Sequence, residues 1–491
     1  MLFGLGALLA LAAELPFGGW LQIPILSIVW WRLRNEASQT TKQYYAFGLI
    51  FGLGYFLIGL WWLYISMHDV WGMNPVFSAI AVLLLSLYVA LYFSAATFTI
   101  RHFKQSQIAG LLLAASWVVA EYLRGCIFTG FPWMGLAENQ LDGPFSPIAP
   151  VFGGLACTFL VVWASWEILQ MRTHPIKRIV MLLAAIAVIQ FAGKISFTKP
   201  LGDPISVRLI QGNFEQRLKF NPQAVGHQID FYASEIQKES ADLIILPETA
   251  FELPQSNLPT GLLSYLQNYS DKTFSNLLLG LIGEAFGERG MQYTNRAIGI
   301  SPHAKLYQYD KNHLVPFGEF IPPGFDWFIK AFNVPLGNFA RGGVDQKLFS
   351  IERKNQASVN AAITICYEDV FGDELAARIK HNQEPVHLLI NMTNLAWFGK
   401  SQAPTQQLRL SQLRSLETGL PALRATNTGI TAALGPDGKL LQTLPAFTQA
   451  TLTTKIQPYS GQTPYVRWGN LPILSLSAGL LIWGFIRRRR F

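Results

Sequence analysis

Residues 177–210 read KRIVMLLAAIAVIQFAGKISFTKPLGDPISVRLI, and the change of pattern inside this stretch decides the fold. From Ile179 to Ala192 no charged residue interrupts the apolar run, as expected of a helix in lipid, where the backbone must satisfy its own hydrogen bonds. After Lys194 the chain turns polar, with Pro200, Gly202 and Pro204 as breakers. It then enters Ser206-Val207-Arg208-Leu209-Ile210, which reads as a strand. A lipid solvent before residue 195 and an aqueous one after it follow.

Working outward, the 491 residues carry 38 Lys and Arg and 30 Asp and Glu, or 14% charged, where an average soluble domain carries about a quarter. Only 17 of these charges fall in residues 1–195, against 51 in the following 296. Such asymmetry excludes a wholly soluble protein, and the composition excludes a disordered chain, a collagen-like repeat and a disulfide scaffold. Seven apolar runs precede residue 196, at roughly 2–15, 20–33, 45–65, 76–100, 107–123, 148–170 and 177–194, and an eighth lies at roughly 471–486. The first reads as a retained helix rather than a signal peptide, because no basic residue precedes it and no small-x-small site follows before Pro16. The expected organisation is a multispan α-helical membrane domain over 1–195, a folded domain over 196–465, and a last helix with a basic tail over 466–491.

Orientation follows from the short loops. Those after the second, fourth and sixth runs hold Arg32, Arg34, Lys42, Arg101, Lys104, Arg172, Lys177 and Arg178, and the tail adds Arg487 to Arg490. The opposite short loops hold only Arg124. Both termini are therefore expected in the cytoplasm and the folded domain on the outer side. Glu121 and Arg124 read as a helix-end ion pair with its heads at the interface, and Trp30, Trp31, Trp61, Trp62 and Trp71 as interfacial anchors.

The net charge of +8 does not indicate nucleic acid. The arginine tail and residues 1–195 account for nearly all of it, leaving no clustered basic face on the folded domain. Of three cysteines, Cys126 and Cys157 lie in or beside apolar segments, so Cys366 has no partner for a disulfide within its own domain.

Beyond residue 205, short β-branched runs alternate with helix-like stretches. Strands are expected at 206–210, 242–246, 277–280, 295–300, 304–309, 359–365, 386–390 and 430–434, and helices at 223–240, 257–269, 371–381 and 404–419. The pattern is that of a layered α/β domain. No His-Glu-x-x-His and no close Cys/His cluster supports a metal, and no cofactor motif is present. Gly399-Lys400-Ser401 ends like a phosphate-binding loop but lacks its first glycine, Asn394 standing there, and no Gly-x-Ser-x-Gly elbow occurs.

One constellation remains. Glu248 follows Leu246-Pro247, Lys311 follows Tyr307-Gln308-Tyr309-Asp310, and Cys366 follows Ile363-Thr364-Ile365. Strand ends are where α/β folds gather reactive groups. The chemistry closes as well: a thiol needs a base, and its attack on a carbonyl makes an oxyanion that wants a cation and a backbone N–H.

Leu246-Pro247-Glu248-Thr249, the run Tyr309 to Glu319 and Ile365-Cys366-Tyr367-Glu368 stand in the order and spacing of the nitrilase superfamily. With the apolar runs, Gly130-Phe131-Pro132-Trp133, Gln211-Gly212-Asn213, Ala396-Trp397-Phe398-Gly399 and Arg424 to Gly429, nearly the whole chain resembles the apolipoprotein N-acyltransferase family. That resemblance implies about eight transmembrane helices, a nitrilase-like αββα sandwich and a bacterial inner-membrane enzyme with its catalytic domain in the periplasm. It also implies a phospholipid acyl donor such as phosphatidylethanolamine and a diacylglyceryl apolipoprotein acceptor. Cys366 would carry the acyl group as a thioester, Glu248 would move the proton, and Lys311 with the Tyr367 N–H would hold the oxyanion. Glu319 and Glu368 would support them.

Phe325, Trp327, Trp397 and Phe398 lie in apolar stretches that read as lids over such a site. Two positions depart from the family pattern: Leu395 stands where Asp is usual, and Gln407 where His is common. A membrane-tethered amidase sharing the three residues, and a silent lipid-binding protein, are the other readings.

Overall fold

The computed structural model describes residues 1–35, 40–103, 106–216, 222–287, 290–325 and 339–488. The chain forms two compact units. Met1–His68, Asn74–Ser196 and Thr463–Phe491 make one, and Asp69–Met73 with Phe197–Gln462 make the other.

In the first unit each apolar run holds a helix: Leu2–Ala12, Gly18–Asn35, Thr41–Gly59, Pro75–Ile100, Ala109–Arg124, Gly154–Gln170, Pro175–Ala192 and Leu471–Arg488. The expected eight spans are not all matched by helices of spanning length. Among the described residues only Pro75–Ile100 and Pro175–Ala192 are long and apolar enough to cross a membrane. A third is added if Thr41–Gly59 and Leu63–Val70, bent by 60° at their break, count as one. Length sets Leu2–Ala12 apart, with 11 residues, about 16 Å of helix against a hydrocarbon layer of about 30 Å, whereas Gly18–Asn35 matches Pro175–Ala192 in length at 18 residues but not in apolarity. Small residues let these helices approach closely. A Cβ on Gly6 would lie 2.0 Å from the Phe51 carbonyl oxygen, and one on Gly54 2.1 Å from that of Phe3.

Polar and aromatic groups in this unit differ from expectation. Arg124 is fully buried rather than interfacial, donating to the carbonyls of Phe131, Pro132 and Trp133 and lying over the Phe56 ring. Glu121, also buried, accepts from the Thr158 hydroxyl at 3.2 Å. Backbone carbonyls of the 131–133 turn thus bind a guanidinium that sequence reasoning had placed at the interface. Trp30 and Trp62 are core residues rather than anchors; Trp30 donates to Ser165 and packs edge-on against Trp117.

The second unit is built on two sheets. One runs in the order β14 (Ala450–Ile456), β2 (Ile205–Gln211), β3 (Leu243–Ile245), β5 (Asn276–Gly287), β6 (Gly290–Ile300), β7 (Tyr307–Asp310), with β4 (Phe251–Pro254) paired to β5. The other runs β13 (Leu440–Thr443), β12 (Ala432–Leu434), β11 (Ala422–Thr426), β10 (Leu388–Thr393), β9 (Gln356–Ile365), β8 (Phe349–Arg353). The middle strands β2, β3 and β5 are mutually parallel, as are β9, β10 and β11. A small ribbon pairs β1 (Thr198–Pro200) with β15 (Tyr459–Gly461).

Alternation along each strand makes the layers. Val207, Leu209, Leu243, Ile245 and Leu278 of the first sheet share one buried core with Ala361, Ile363, Leu388, Ile390, Leu423 and Ala425 of the second. The opposite faces of the first sheet, through Ile210, Ile244, Leu277 and Leu279, pack on the helices Pro222–Lys238 and Leu262–Thr273. Helices Gly372–His381 and Ala403–Thr418 bury Leu375, Ile379, Leu408 and Leu413 beside the second sheet. The order is helix, sheet, sheet, helix.

All eight expected strands are present. Sequence reading missed β1, β4, β8, β11, β13, β14 and β15, of which all but β14 have only three to five residues and so give too little alternation to read.

Candidate active site

The second unit's strand ends place the three reactive side chains. Lys311 and Cys366 directly follow β7 and β9, and Glu248 stands three residues past β3. The turns that deliver them are tight. A Cβ on Gly280 of β5 would lie 2.3 Å from the Pro247 oxygen and 2.8 Å from the Glu248 Cα, so only glycine lets this loop cross the neighbouring strand. Cys366 itself has a φ of 52° and Thr249 a φ of 48°, left-handed conformations that are uncommon for residues with a Cβ. At Cys366 this costs roughly 1–2 kcal/mol.

Lys311 is buried between two carboxylates. Its Nζ lies 2.8 Å from Glu319 Oε1 and 3.4 Å from Glu248 Oε1. Asn295 ties the pair together, donating from Nδ2 to Glu248 Oε1 at 2.7 Å and to Glu319 Oε1 at 2.8 Å. The second oxygens are held by backbone, Glu248 Oε2 by the Asn394 N–H and Glu319 Oε2 by the Val315 N–H, each at 2.7–2.8 Å. Burial works against the ammonium, but Glu319 and then Glu248 outweigh it and hold Lys311 well above the usual lysine range. It is a fixed cation.

Cys366 is partly exposed, and the same charges act on it. Its enclosure, then the Glu248 carboxylate, push the thiol well above its ordinary range, while Lys311 and Arg424 pull the other way. The thiol therefore rests neutral and needs a base at the moment it attacks.

Glu368, behind Lys311, receives the Tyr309 hydroxyl at 2.9 Å, the Asn312 N–H at 2.8 Å and the Ile365 N–H at 2.7 Å. It thereby joins the loop after Lys311 to the end of β9. The Tyr367 ring is buried against His313 and Phe371. Of the lid residues, Phe325 is exposed and meets Phe317 edge-on, Trp397 is half-buried with its ring edge-on to Trp71, and Phe398 is half-buried. Trp327 lies outside the described residues.

The structure thus brings Glu248, Lys311, Cys366 and Glu319 together, with Glu368 behind them. Sequence reading missed Asn295, Asn391 and Asn394. Their signal was available: Asn295 and Asn391 are polar residues inside strands that otherwise read as core. Leu395, the departure from Asp, is buried, as its apolar side chain requires.

The comparisons with known proteins now fit this geometry. Residues 5–166 match the family model described as apolipoprotein N-acyltransferase N-terminal domain, and residues 206–465 match carbon-nitrogen hydrolase. Among curated relatives, an apolipoprotein N-acyltransferase of Ralstonia nicotianae is 39% identical, covering 99% of this chain and 93% of its own. That of Nitrosomonas europaea is 37% identical over 94% and 92%. Two domain models in series and full-length relatives at this identity place the chain in the apolipoprotein N-acyltransferase family.

Proposed function

We propose that this chain moves an acyl group from the sn-1 position of a phospholipid to the α-amino group of an S-diacylglyceryl cysteine at the start of an apolipoprotein. The observation that carries the reading is the fixed Lys311 ammonium set between Glu248 and Glu319, with Cys366 within its electrostatic reach. Glu248 takes the thiol proton as the Cys366 sulfur attacks the ester carbonyl carbon. The oxyanion forms against Lys311 and the Tyr367 N–H. When the tetrahedral centre collapses, the C–O bond breaks and Glu248 returns its proton to the departing lysophospholipid hydroxyl.

A thioester remains on Cys366. It keeps enough reactivity for an amine to displace it, so no nucleotide is required. In the second half the amine attacks, the C–S bond breaks, and Glu248 carries the amine proton back to the thiolate. Glu319 holds Lys311 and Glu368 holds the loop behind it.

The apolar helices and the Lys and Arg bias of their loops support a multi-pass protein of the bacterial inner membrane. In this reading about eight segments cross, residues 196–465 lie in the periplasm and both termini in the cytoplasm. Phosphatidylethanolamine is the donor we favour, with Phe325, Trp327, Trp397 and Phe398 as the lid over the acyl chain.

The test uses the full chain in detergent with an alkyne-tagged phospholipid and a diacylglyceryl lipopeptide. Label should appear on wild-type protein, leave with hydroxylamine, be absent from Cys366→Ala, and move to the peptide amine when peptide is added. Release of free fatty acid with no amide product would make the chain a hydrolase instead.

A further inference from the structure

Beneath Cys366 lies a buried polar cluster that the reaction above does not use. Arg424, in the middle of β11, is 0% exposed, as is Gln407 on the helix Ala403–Thr418. Arg424 Nη2 donates to Gln407 Oε1 at 2.7 Å, and its Nη1 donates to Asn391 Oδ1 at 3.1 Å. A guanidinium has donors only, so both amides must turn their oxygens toward it and their NH2 groups away. Those NH2 groups meet the same atom: Gln407 Nε2 lies 3.0 Å from the Cys366 carbonyl oxygen and Asn391 Nδ2 lies 3.4 Å from it. Gln407 Nε2 is also 3.8 Å from Cys366 Sγ. Asp369, 3.6 Å from Arg424 Nη1, balances the buried cation, and Ser411 accepts from the same nitrogen at 2.9 Å.

We propose that Arg424, acting through the Gln407 amide, is a positioning device for the nucleophile. It fixes the one orientation of Gln407 that clamps the carbonyl of the left-handed Cys366 and leaves an N–H facing the sulfur as it ionises. The assignment rests on Cys366 being the nucleophile. It gives Gln407, the departure from the family's common His, a chemical role: a neutral amide oriented by a cation presents the same kind of donor as an imidazole N–H. A hydrogen bond given to an anion favours the anion, so the device eases the very ionisation that Glu248 and Glu319 oppose. The charged groups acting on that sulfur are Glu248, Lys311, Glu319 and Arg424.

The test is the pH profile of alkylation at Cys366, followed on its own peptide by mass spectrometry in the full chain, alongside phospholipid acylation. Gln407→Met removes the donor at similar length and without charge. Its alkylation midpoint should rise by about one pH unit, with acylation about tenfold slower at neutral pH and the KM for phospholipid unchanged. Gln407→His should restore both. Gln407→Leu takes the place of Met if the latter fails to fold. Gln407→Glu, which keeps the Arg424 partner but offers no donor, should shift the midpoint at least as far.

A shift in Gln407→Glu with none in the neutral variants would mean that charge alone acts, and would overturn the proposal; so would a Met variant that merely melts earlier with an unmoved profile. Should the Gln407 variants show the expected alkylation shifts while wild-type protein takes no acyl group from phospholipid, the positioning role stands and the acyl-transfer reading fails. The reverse result separates them in the other direction.

Discussion

Lys311 is bonded more closely to Glu319, at 2.8 Å, than to Glu248, at 3.4 Å, so the cation is anchored by the carboxylate that carries no proton in the proposed cycle. That division leaves Glu248 able to change protonation without releasing Lys311. Glu319→Gln keeps the shape and removes the anchor's charge, and Lys311 should then pair more tightly with Glu248. The closer ammonium then occupies the oxygen that is to take the thiol proton, and the oxyanion site shifts. We expect acylation by tagged phospholipid to fall by about 10²–10³-fold, comparable to loss of one oxyanion donor, with phospholipid KM little changed. A variant within a few-fold of wild type would remove Glu319 from the charge arrangement.

How much of this was legible beforehand depended on whether a residue's role showed in its own neighbourhood. Glu248, Lys311 and Cys366 each interrupt an apolar strand at its end, and that local contrast is visible in one dimension. Eight strands were readable for the same reason. β11, five residues long, was not, and the meaning of Arg424 at its centre lies in Gln407 and Asn391 on two other elements. Asn295 is likewise invisible as a tie between carboxylates until β6 is laid beside β5 and the loop after β7. Arg124 was legible only in part: its spacing from Glu121 suggested a pair, but the carbonyls of the 131–133 turn that bind its guanidinium could not be read from that spacing. The count of about eight spans was read from apolar composition, whereas helix length adds its own condition, which two described helices meet, or three with the bent pair.

Gly280 tests whether the Glu248 loop must press on β5. A Cβ there would meet the Pro247 oxygen at 2.3 Å and the Thr249 nitrogen at 2.5 Å, both backbone atoms that cannot rotate away. Gly280→Ala should therefore push the loop off the strand, weakening the 2.7 Å bonds of Glu248 to Asn295 and to the Asn394 N–H. The expected stability loss is about 1–3 kcal/mol, while acylation should drop by two orders of magnitude or more. Thermal unfolding in detergent measured beside acylation separates the two effects. Full activity at an unchanged melting temperature would show that the loop has slack.

The thiol's resting state gives a prediction whose sign is opposite for reactivity and for turnover. Enclosure and then the Glu248 carboxylate raise the Cys366 thiol, so replacing that carboxylate by a neutral amide should lower it. In Glu248→Gln the midpoint of Cys366 alkylation against pH should therefore move down, and iodoacetamide at neutral pH should modify Cys366 faster than in wild type. Acylation should nonetheless be lost by about 10²–10⁴-fold, because no group remains to take the proton and return it to the departing hydroxyl. Cys126 is exposed and Cys157 buried, so the measurement must follow the Cys366 peptide alone. If the midpoint stays or rises while acylation falls, Glu248 is not an electrostatic neighbour of the sulfur and its loss acts through structure. If alkylation speeds up and acylation survives, the proton travels by another group, and Glu248 serves only to hold Lys311.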